Sequence, residues 1–514
     1  MQGLNELKFN KGIGLRILGD LCVVNFSLAF ALTLRFAVKI FLEGEAERAS
    51  AYANGFLSFY STAAPLLTGL TLLVFAGFGI YTRTRFYAKK YKAVTLFQAI
   101  TITYLLFIIS HYFAFGDNSL ISRGVFLASY LPTLLLSGGG RLLKNFAVAR
   151  YDIVKRENSA ASGGPRMVLV VGGAGYIGSV LARLLLEAGY SVRVLDSAIY
   201  GNQAVEGLLS HPRFEFVEGD LRHVESLVRA INGCDAVIHL GAIVGDPACD
   251  LNERMTREIN TFATKLLLQV ARGYGVQRLL FASTCAVYGA SDFLMDEHST
   301  LNPVSSYAQS KADAEKIVLE APSPDFCPVV LRLGTVFGHS YRPRFDLVVN
   351  LLVARAWMHK KITIYNKDQW RPFVHVHDCA RAFVACLDAN ADVVRGEIFN
   401  VGAYHSNSTL GQLGAKVREQ LPETEMEVVE TNDPRNYRVS FEKIHIRLGF
   451  TCERTLEDGI REIKEYLGQQ AGQGFAAETF DNSKRLKALG EDWAVPSSDM
   501  ALMQMLEAPG GPAR

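Results

Sequence analysis

A chain of 514 residues exceeds what one ordinary hydrophobic core holds and calls for two or three domains. Its 53 lysines and arginines against 51 acids leave a net charge of +2, which gives no global electrostatic case for nucleic-acid binding. The eight cysteines are scattered, without a C-x-x-C or a Cys/His cluster of zinc spacing, so they read as reduced, mostly buried thiols in a cytosolic setting, and no metal site is expected.

The first 150 residues are far more apolar than the remainder. Phe56 to Tyr81 runs 26 residues and Ala93 to Phe115 runs 23 residues without a formal charge. A hydrocarbon layer of ~30 Å needs ~20 helical residues, so each stretch is long enough to span it. Ile17 to Leu34 carries only Asp20, expected near the interface, solvated or paired with Arg16. Gly124 to Gly140 is shorter and contains Pro132. Together they predict a transmembrane domain of about four helices over residues 1–150. Lysine and arginine are richest before the first span (Lys8, Lys11, Arg16), between the second and third (Arg83, Arg85, Lys89, Lys90, Lys92) and after the fourth (Arg141, Lys144, Arg150). Basic loops stay on the cytoplasmic side, so a multi-pass protein of the inner (cytoplasmic) membrane is expected, with the bilayer as partner and everything after residue 150 in the cytoplasm. No small-residue cleavage site follows the first apolar run, so no cleaved signal peptide is expected. Residues 151–166 are polar, run through Ser-Gly-Gly-Pro and read as a flexible linker.

From Met167 the pattern changes to apolar strands alternating with helices, the mark of a doubly wound parallel sheet. Val168 to Val171 ends in Gly172, Gly175 and Gly178 at a three-residue spacing, and a helical pattern from Ser179 to Glu187 follows at once. Such a loop lets the backbone turn tightly and approach a pyrophosphate, with the next helix pointing its first amides at that charge. Ser191 to Leu195 is the second strand and ends at Asp196, placed for the adenosine ribose hydroxyls of a dinucleotide; no arginine follows, which favours NAD over NADP. Phe214–Val217 and Ala236–Leu240 read as the next strands, and Arg278 to Phe281 begins the fifth, which runs on into Ala282-Ser283-Thr284. Ser305 to Lys311 opens a helix whose Tyr307 and Lys311, at i and i+4, share one face. A lysine one turn away and a cationic nicotinamide both favour the phenolate of Tyr307, turning a weak acid of pKa ~10 into a usable base. Thr284, at a strand end, is placed to hold the substrate oxygen that loses its proton.

The segment from Met167 to about Leu467 resembles the extended short-chain dehydrogenase/reductases, the nucleotide-sugar epimerase and dehydratase family. The resemblance rests on Gly172-Gly173-Ala174-Gly175-Tyr176-Ile177-Gly178, Gly219-Asp220-Leu221, His239-Leu240-Gly241-Ala242, Val287-Tyr288-Gly289, Tyr307-x-x-x-Lys311, Arg371-Pro372-Phe373-Val374-His375-Val376 and Phe399-Asn400-Val401-Gly402. It implies a Rossmann sheet with a smaller C-terminal substrate-binding part, mainly within 335–468. It implies cofactor contacts from the glycine loop with Tyr176 and Ile177, from Asp220 and Leu221 at the adenine, from Leu240, Gly241, Ala242 and Asn260, and from Tyr307 and Lys311, with Lys311 holding the nicotinamide ribose. Arg371 and Arg435 would meet the diphosphate of the substrate. Leu448-Gly449-Phe450 and Thr455 to Ile460 resemble the closing strand and helix, and Asp346 to Met358 reads as a helix. From Gln469 the pattern dissolves into a C-terminal tail ending in Pro509-Gly510-Gly511-Pro512, read as disordered. By analogy alone the family suggests a homodimer.

Where the resembling sugar 4,6-dehydratases carry Asp-Glu after the catalytic threonine, this chain has Cys285 and Ala286, and the glutamate of the UDP-glucuronate decarboxylases is absent too. Neither residue transfers protons as a carboxyl does. Leu333 to Gly338 departs from the usual segment at the nicotinamide and leaves the sugar open. The membrane region resembles those of bacterial polysaccharide-biosynthesis proteins. The expectation is therefore a membrane-anchored NAD-dependent epimerase acting at C4 of a UDP-type hexose for cell-surface polysaccharide. The alternatives are a 4-keto-sugar reductase or dehydrogenase, an epimerase of polyprenyl-linked sugar, and a non-catalytic NAD-binding scaffold.

Overall fold

The computed structural model describes residues 11–78, 80–81, 89–115, 124–140, 166–431, 433, 435–470, 478–490, 493 and 497. The chain divides into two compact units, Met1–Gly163 and Gly164–Arg514. The linker positions 151–165, the loop 82–88 and the end 498–514, with its Pro509 to Pro512, lie outside the described residues.

The first unit is helical. Helices Lys11–Ala37, Ala49–Gly77 and Lys89–Phe115 are followed by the shorter Gly124–Gly140. Three stretches, Ile17–Leu42, Ala46–Gly77 and Thr95–Phe113, are long and apolar enough to cross a membrane; Gly124–Gly140 falls short of that length. Leu28, Leu67, Ala99 and Phe107 pack between the helices, while Leu57, Leu73, Phe113 and Leu135 point outward and are exposed. Polar side chains stitch the bundle: Asn25 Nδ2 donates to Thr68 Oγ1 at 3.0 Å, and Tyr104 Oη meets Thr133 Oγ1 at 2.8 Å. Asp20 is 7% exposed, which is not the solvated position that was one of its two expected settings. The mixed charges after the first helix pair locally, Arg35 with Glu43 at 2.8 Å and Lys39 with Glu43 at 2.6 Å.

The second unit is α/β. Its strands in chain order are β1 Met167–Val171, β2 Ser191–Asp196, β3 Phe214–Glu218, β4 Ala236–His239, β5 Arg278–Thr284, β6 Leu294–Met295, β7 Cys327–Leu333, β8 Thr335–Phe337, β9 Lys361–Tyr365, β10 Trp370–His375, β11 Ile398–Val401, β12 Asn407–Thr409, β13 Glu425–Val429 and β14 Arg438–Val439. A seven-stranded sheet runs β11-β7-β5-β4-β1-β2-β3, with every pairing parallel. Both faces are covered by helices, which is why β1 is apolar along its whole length and β7 is buried throughout, its one charge, Arg332, being paired in the interior. The order reverses at β1, so β1 and β4 open a crevice at their carboxyl ends where a ligand can bind.

The substrate-side part is a smaller assembly. β8, β10 and β12 form one sheet, β9 pairs with β13, and β6 pairs with β14. Phe337, Phe373, Val353, Leu413 and Ile460 form its core. The helix read over Asp346 to Met358 is Val348–His359. Leu448 to Phe450 is not a strand: Leu448 ends the helix Glu442–Leu448, and Gly449 at φ +63° caps it in the left-handed conformation. After Gln469 the chain is not patternless either. A 3₁₀ turn, Glu478–Phe480, leads into a helix, Asn482–Ala488, whose first turn is capped by Asp481 accepting from Lys484 N at 3.0 Å. Leu486 of that helix is fully buried. A seven-residue helix with one core side chain is too short to show a period in sequence.

Candidate active site

The glycine loop closes β1 onto the helix Tyr176–Glu187. Gly172 sits at φ +79°, and a Cβ there would come within 2.7 Å of Gly241 N. A Cβ at Gly178 would lie 2.5 Å from Gly172 O. These contacts demand glycine and bring the loop against the Leu240–Ala242 turn after β4. Gly175 is the N-cap of the helix, and no side chain caps it, so the opening amides keep their positive ends for an anion. The residues present therefore fit a dinucleotide pyrophosphate.

Asp196 ends β2, with one carboxylate oxygen accepting from Ala174 N at 3.0 Å and the other from Ala198 N at 2.9 Å. Burial pushes its carboxyl up, opposed by those two amides. Asp220 is clasped by Arg222, whose guanidinium reaches its carboxylate at 2.6 Å. Three expected cofactor residues have further work. The Tyr176 side chain is buried and donates from Oη to Gly338 O at 2.6 Å; it pins the loop instead of presenting its ring. Asn260 is consumed structurally, accepting from Ile243 N at 2.9 Å while donating to Ile243 O at 2.9 Å and Ser310 Oγ at 3.0 Å. Leu240 N is tied to Val171 O at 2.9 Å. Ile177 is half-buried, and Leu221 borders an apolar cluster shared with Tyr307.

The helix Ser306–Leu319 starts where the sequence places it, with Ser305 Oγ accepting from Ala308 N at 3.2 Å. It carries Tyr307 and Lys311 on the face toward β5. Thr284, at the end of β5, holds Ala286 N at 3.1 Å, and its hydroxyl is near enough to the Tyr307 phenol to favour the phenolate. Burial pushes that phenol up and the Cys249 thiol adds to the effect, while the Arg344 guanidinium and Thr284 pull it down. Lys311 is buried, donates to Ala282 O at 2.9 Å and lies over the Phe281 ring at 4.8 Å. Burial lowers its ammonium to about 8. Arg344, itself paired with Asp346 at 2.6 Å, is a further cation that favours the Tyr307 phenolate and that sequence reasoning missed. Its only signal there was the Arg342-Pro343-Arg344 run after the loop at Gly338.

The positions after Thr284 carry no acid. Cys285 is fully buried, donates to Arg332 O at 3.3 Å, and has its thiol pushed up by burial; Ala286 is partly exposed. Beyond them, Glu315 and Arg332 pair at 2.7 Å in the interior.

On the substrate side, Arg371 and Arg435 are neighbours, since Arg371 donates to the Arg435 carbonyl. Arg371 also reaches Gln369 Oε1 at 3.2 Å and Asp433 at 3.4 Å, and it lies over the Tyr437 ring at 5.7 Å. Arg435 bridges Asp433 at 2.7 Å and Asp246 at 2.5 Å, and the Asp433 hydrogen bond raises its guanidinium further. Asp246, Asp433 and Arg435 line an open cavity of about 550 Å³ together with Ser305 and Thr431, beside the start of the Tyr307 helix. Among the described residues no group of His, Cys, Asp and Glu is arranged to hold a metal ion.

Residues 168–402 match the family model described as "NAD dependent epimerase/dehydratase family". The UDP-glucose 4-epimerase of Lacticaseibacillus casei is 30% identical over 306 residues, 55% of this chain and 91% of that protein. The dTDP-D-glucose 4,6-dehydratase of Homo sapiens is 29% identical over 348 residues, 64% of this chain and 95% of that protein. Among solved structures, MoeE5 in complex with UDP-glucuronic acid and NAD superimposes with a TM-score of 0.52 at 27% identity, over 59% of this chain and 99% of that one. With a Rossmann sheet, a glycine loop shaped for a pyrophosphate and relatives of this extent, the chain belongs to the NAD-dependent epimerase/dehydratase family.

Proposed function

We propose that this protein is a membrane-anchored NAD-dependent epimerase that inverts C4 of a nucleotide-linked hexose of the UDP type through a transient 4-keto-sugar. The observation that carries the choice is the pair Cys285 and Ala286. An elimination of water needs an acid and a base beside the threonine, and here a thiol sealed under Arg332 and a methyl group stand in those places. Inversion needs neither.

The cofactor supplies a hydride acceptor that returns the hydride later in the cycle. Tyr307 takes the proton of the C4 hydroxyl and gives it back after the sugar has turned. Thr284 orients that hydroxyl from the other side. Lys311, with an ammonium lowered to about 8, holds the far end of the same helix face against Ala282 and remains cationic at neutral pH. Arg344 favours the phenolate. Arg371 and Arg435 are placed to exchange Asp433 and Asp246 for the diphosphate of the substrate. Anchoring in the inner membrane, with the second unit in the cytoplasm, is supported by three long apolar helices with exposed Leu57, Leu73 and Phe113. A role in cell-surface polysaccharide synthesis and a dimeric state belong to the same reading.

Incubating the purified protein with UDP-hexoses and no added cofactor tests it. Product epimer without net NADH supports the epimerase. Stoichiometric NADH change makes the protein a dehydrogenase or keto-sugar reductase and sinks the proposal. Turnover confined to polyprenyl-linked sugar would move the substrate from the nucleotide to the lipid carrier.

A further inference from the structure

The C-terminal segment beyond the closing helix does not hang free. Arg485 Nε donates to Ile199 O at 3.0 Å, in the turn that follows Asp196. Leu486 is fully buried and Trp493 is 7% exposed, both in a cluster with Ile243, Cys249 and Met255 beyond β4. Ser497 N donates to Glu258 at 2.9 Å and Ser497 Oγ to the Arg222 carbonyl at 3.3 Å, beside Asp220. Arg485, Leu486, Trp493 and Ser497 therefore meet the chain just beyond the ends of β2, β3 and β4, around the crevice. These residues lie beyond residue 402, where the family match ends.

Where this stretch meets the crevice, polar atoms are left over. Arg342 lies 4.4 Å over the Tyr200 ring and reaches Thr479 O at 3.5 Å, yet its Nε is buried without a partner. The Tyr200 hydroxyl and Asn482 Oδ1 are likewise buried without one. Arg342 is 7% and Asn482 is 2% exposed. Buried donors and acceptors are normally satisfied, so such a group of orphans calls for a ligand. An arginine N–H, a phenol and an amide oxygen suit a phosphate and the hydroxyls of a ribose. The helix Asn482–Ala488 also adds Lys484, Arg485 and Lys487, charges that favour a diphosphate.

We propose that residues 478–490, with Trp493 and Ser497, form a strap that closes over bound NAD and retains it, with Arg342, Tyr200 and Asn482 presented to the dinucleotide. The proposal rests on the family's NAD dependence. It suits a reaction that regenerates its cofactor at every turn, for which release serves no purpose.

The full-length protein in detergent is compared with a chain ending at Gln470 and with Leu486→Ser. NAD released on denaturation is quantified, and NAD dissociation is timed after dilution into excess competitor. Both variants should lose NAD at least about tenfold faster than the full chain. Trypsin cleavage at Lys484 to Lys487 in the full-length protein should slow on adding NAD. Equal or tighter NAD retention in both variants overturns the strap, and so does faster cleavage with NAD, the signature of a plug that the cofactor expels. A full-length protein that binds no NAD overturns the cofactor reading along with the proposal.

Discussion

Glu315 Oε2 and Arg332 Nη2 meet at 2.7 Å with neither side chain more than 3% exposed. Glu315 lies one turn beyond Lys311 on the Tyr307 helix, and Arg332 lies on β7; Ser283 of β5 donates to the same carboxylate, and Arg332 reaches Tyr288 Oη at 3.0 Å. The pair fixes the catalytic helix against two central strands. Breaking it leaves a buried charge alone, so Glu315→Gln should cost about 3–5 kcal/mol, read as a lowered Tm in detergent. Replacing both, Glu315→Leu with Arg332→Met, should cost less than the single change. Equal losses would show that the network contributes nothing as a pair.

Tyr307→Phe keeps the ring and removes the proton acceptor. Turnover should fall about 10²- to 10⁴-fold while the NAD content of the purified protein stays at the wild-type level. Loss of NAD together with activity would instead assign Tyr307 to cofactor binding.

Lys311 gives a signed pH effect. Its ammonium is at about 8 in the folded chain against 10.5 in the open one, and burial is the cause. Between those values the unfolded chain holds a proton that the native one has released. Stability should therefore rise as pH climbs from about 8 toward 10.5, by roughly 3 kcal/mol at most, with no slope from this group below 8. Chemical unfolding of cofactor-free protein across this range measures it. Lys311→Met should flatten the rise; an unchanged slope would place the titration elsewhere.

Arg435→Ala removes one of two neighbouring guanidinium groups from the mouth of the cavity. The KM for a nucleotide-linked sugar should rise about tenfold or more with little change in kcat, since the group binds diphosphate in ground and transition state alike. A fall in kcat with KM unmoved would place Arg435 in the chemistry instead.

The proposed catalytic trio could be picked out because its spacing is local. Tyr307 and Lys311 lie one helical turn apart, Ser305 signals the cap, and Thr284 ends an apolar run. The parallel sheet was legible from the same alternation, with β5 begun at Arg278 and Thr284 at a strand end, as observed. What stayed hidden depends on contacts far apart in the chain. Nothing local tells that the Arg344 charge acts on Tyr307, that Asn260 spends its amide on Ile243, or that Leu486 docks more than 200 residues back against Ile243. Leu448 to Phe450 misled for the opposite reason. Its apolar flanks look like a strand, and only Gly449 in the left-handed conformation reveals a helix end.

The bond from Tyr176 to Gly338, together with Ser340 Oγ donating back to the Tyr176 carbonyl at 2.6 Å, fastens the nucleotide half of the second unit to its sugar half. Two halves bolted at their shared edge do not open like a clamshell. On the proposed mechanism, the room a keto-sugar needs to turn over must then come from inside the pocket, through side chains and water, and the pocket's own dimensions become the ruler that decides which sugars can be inverted.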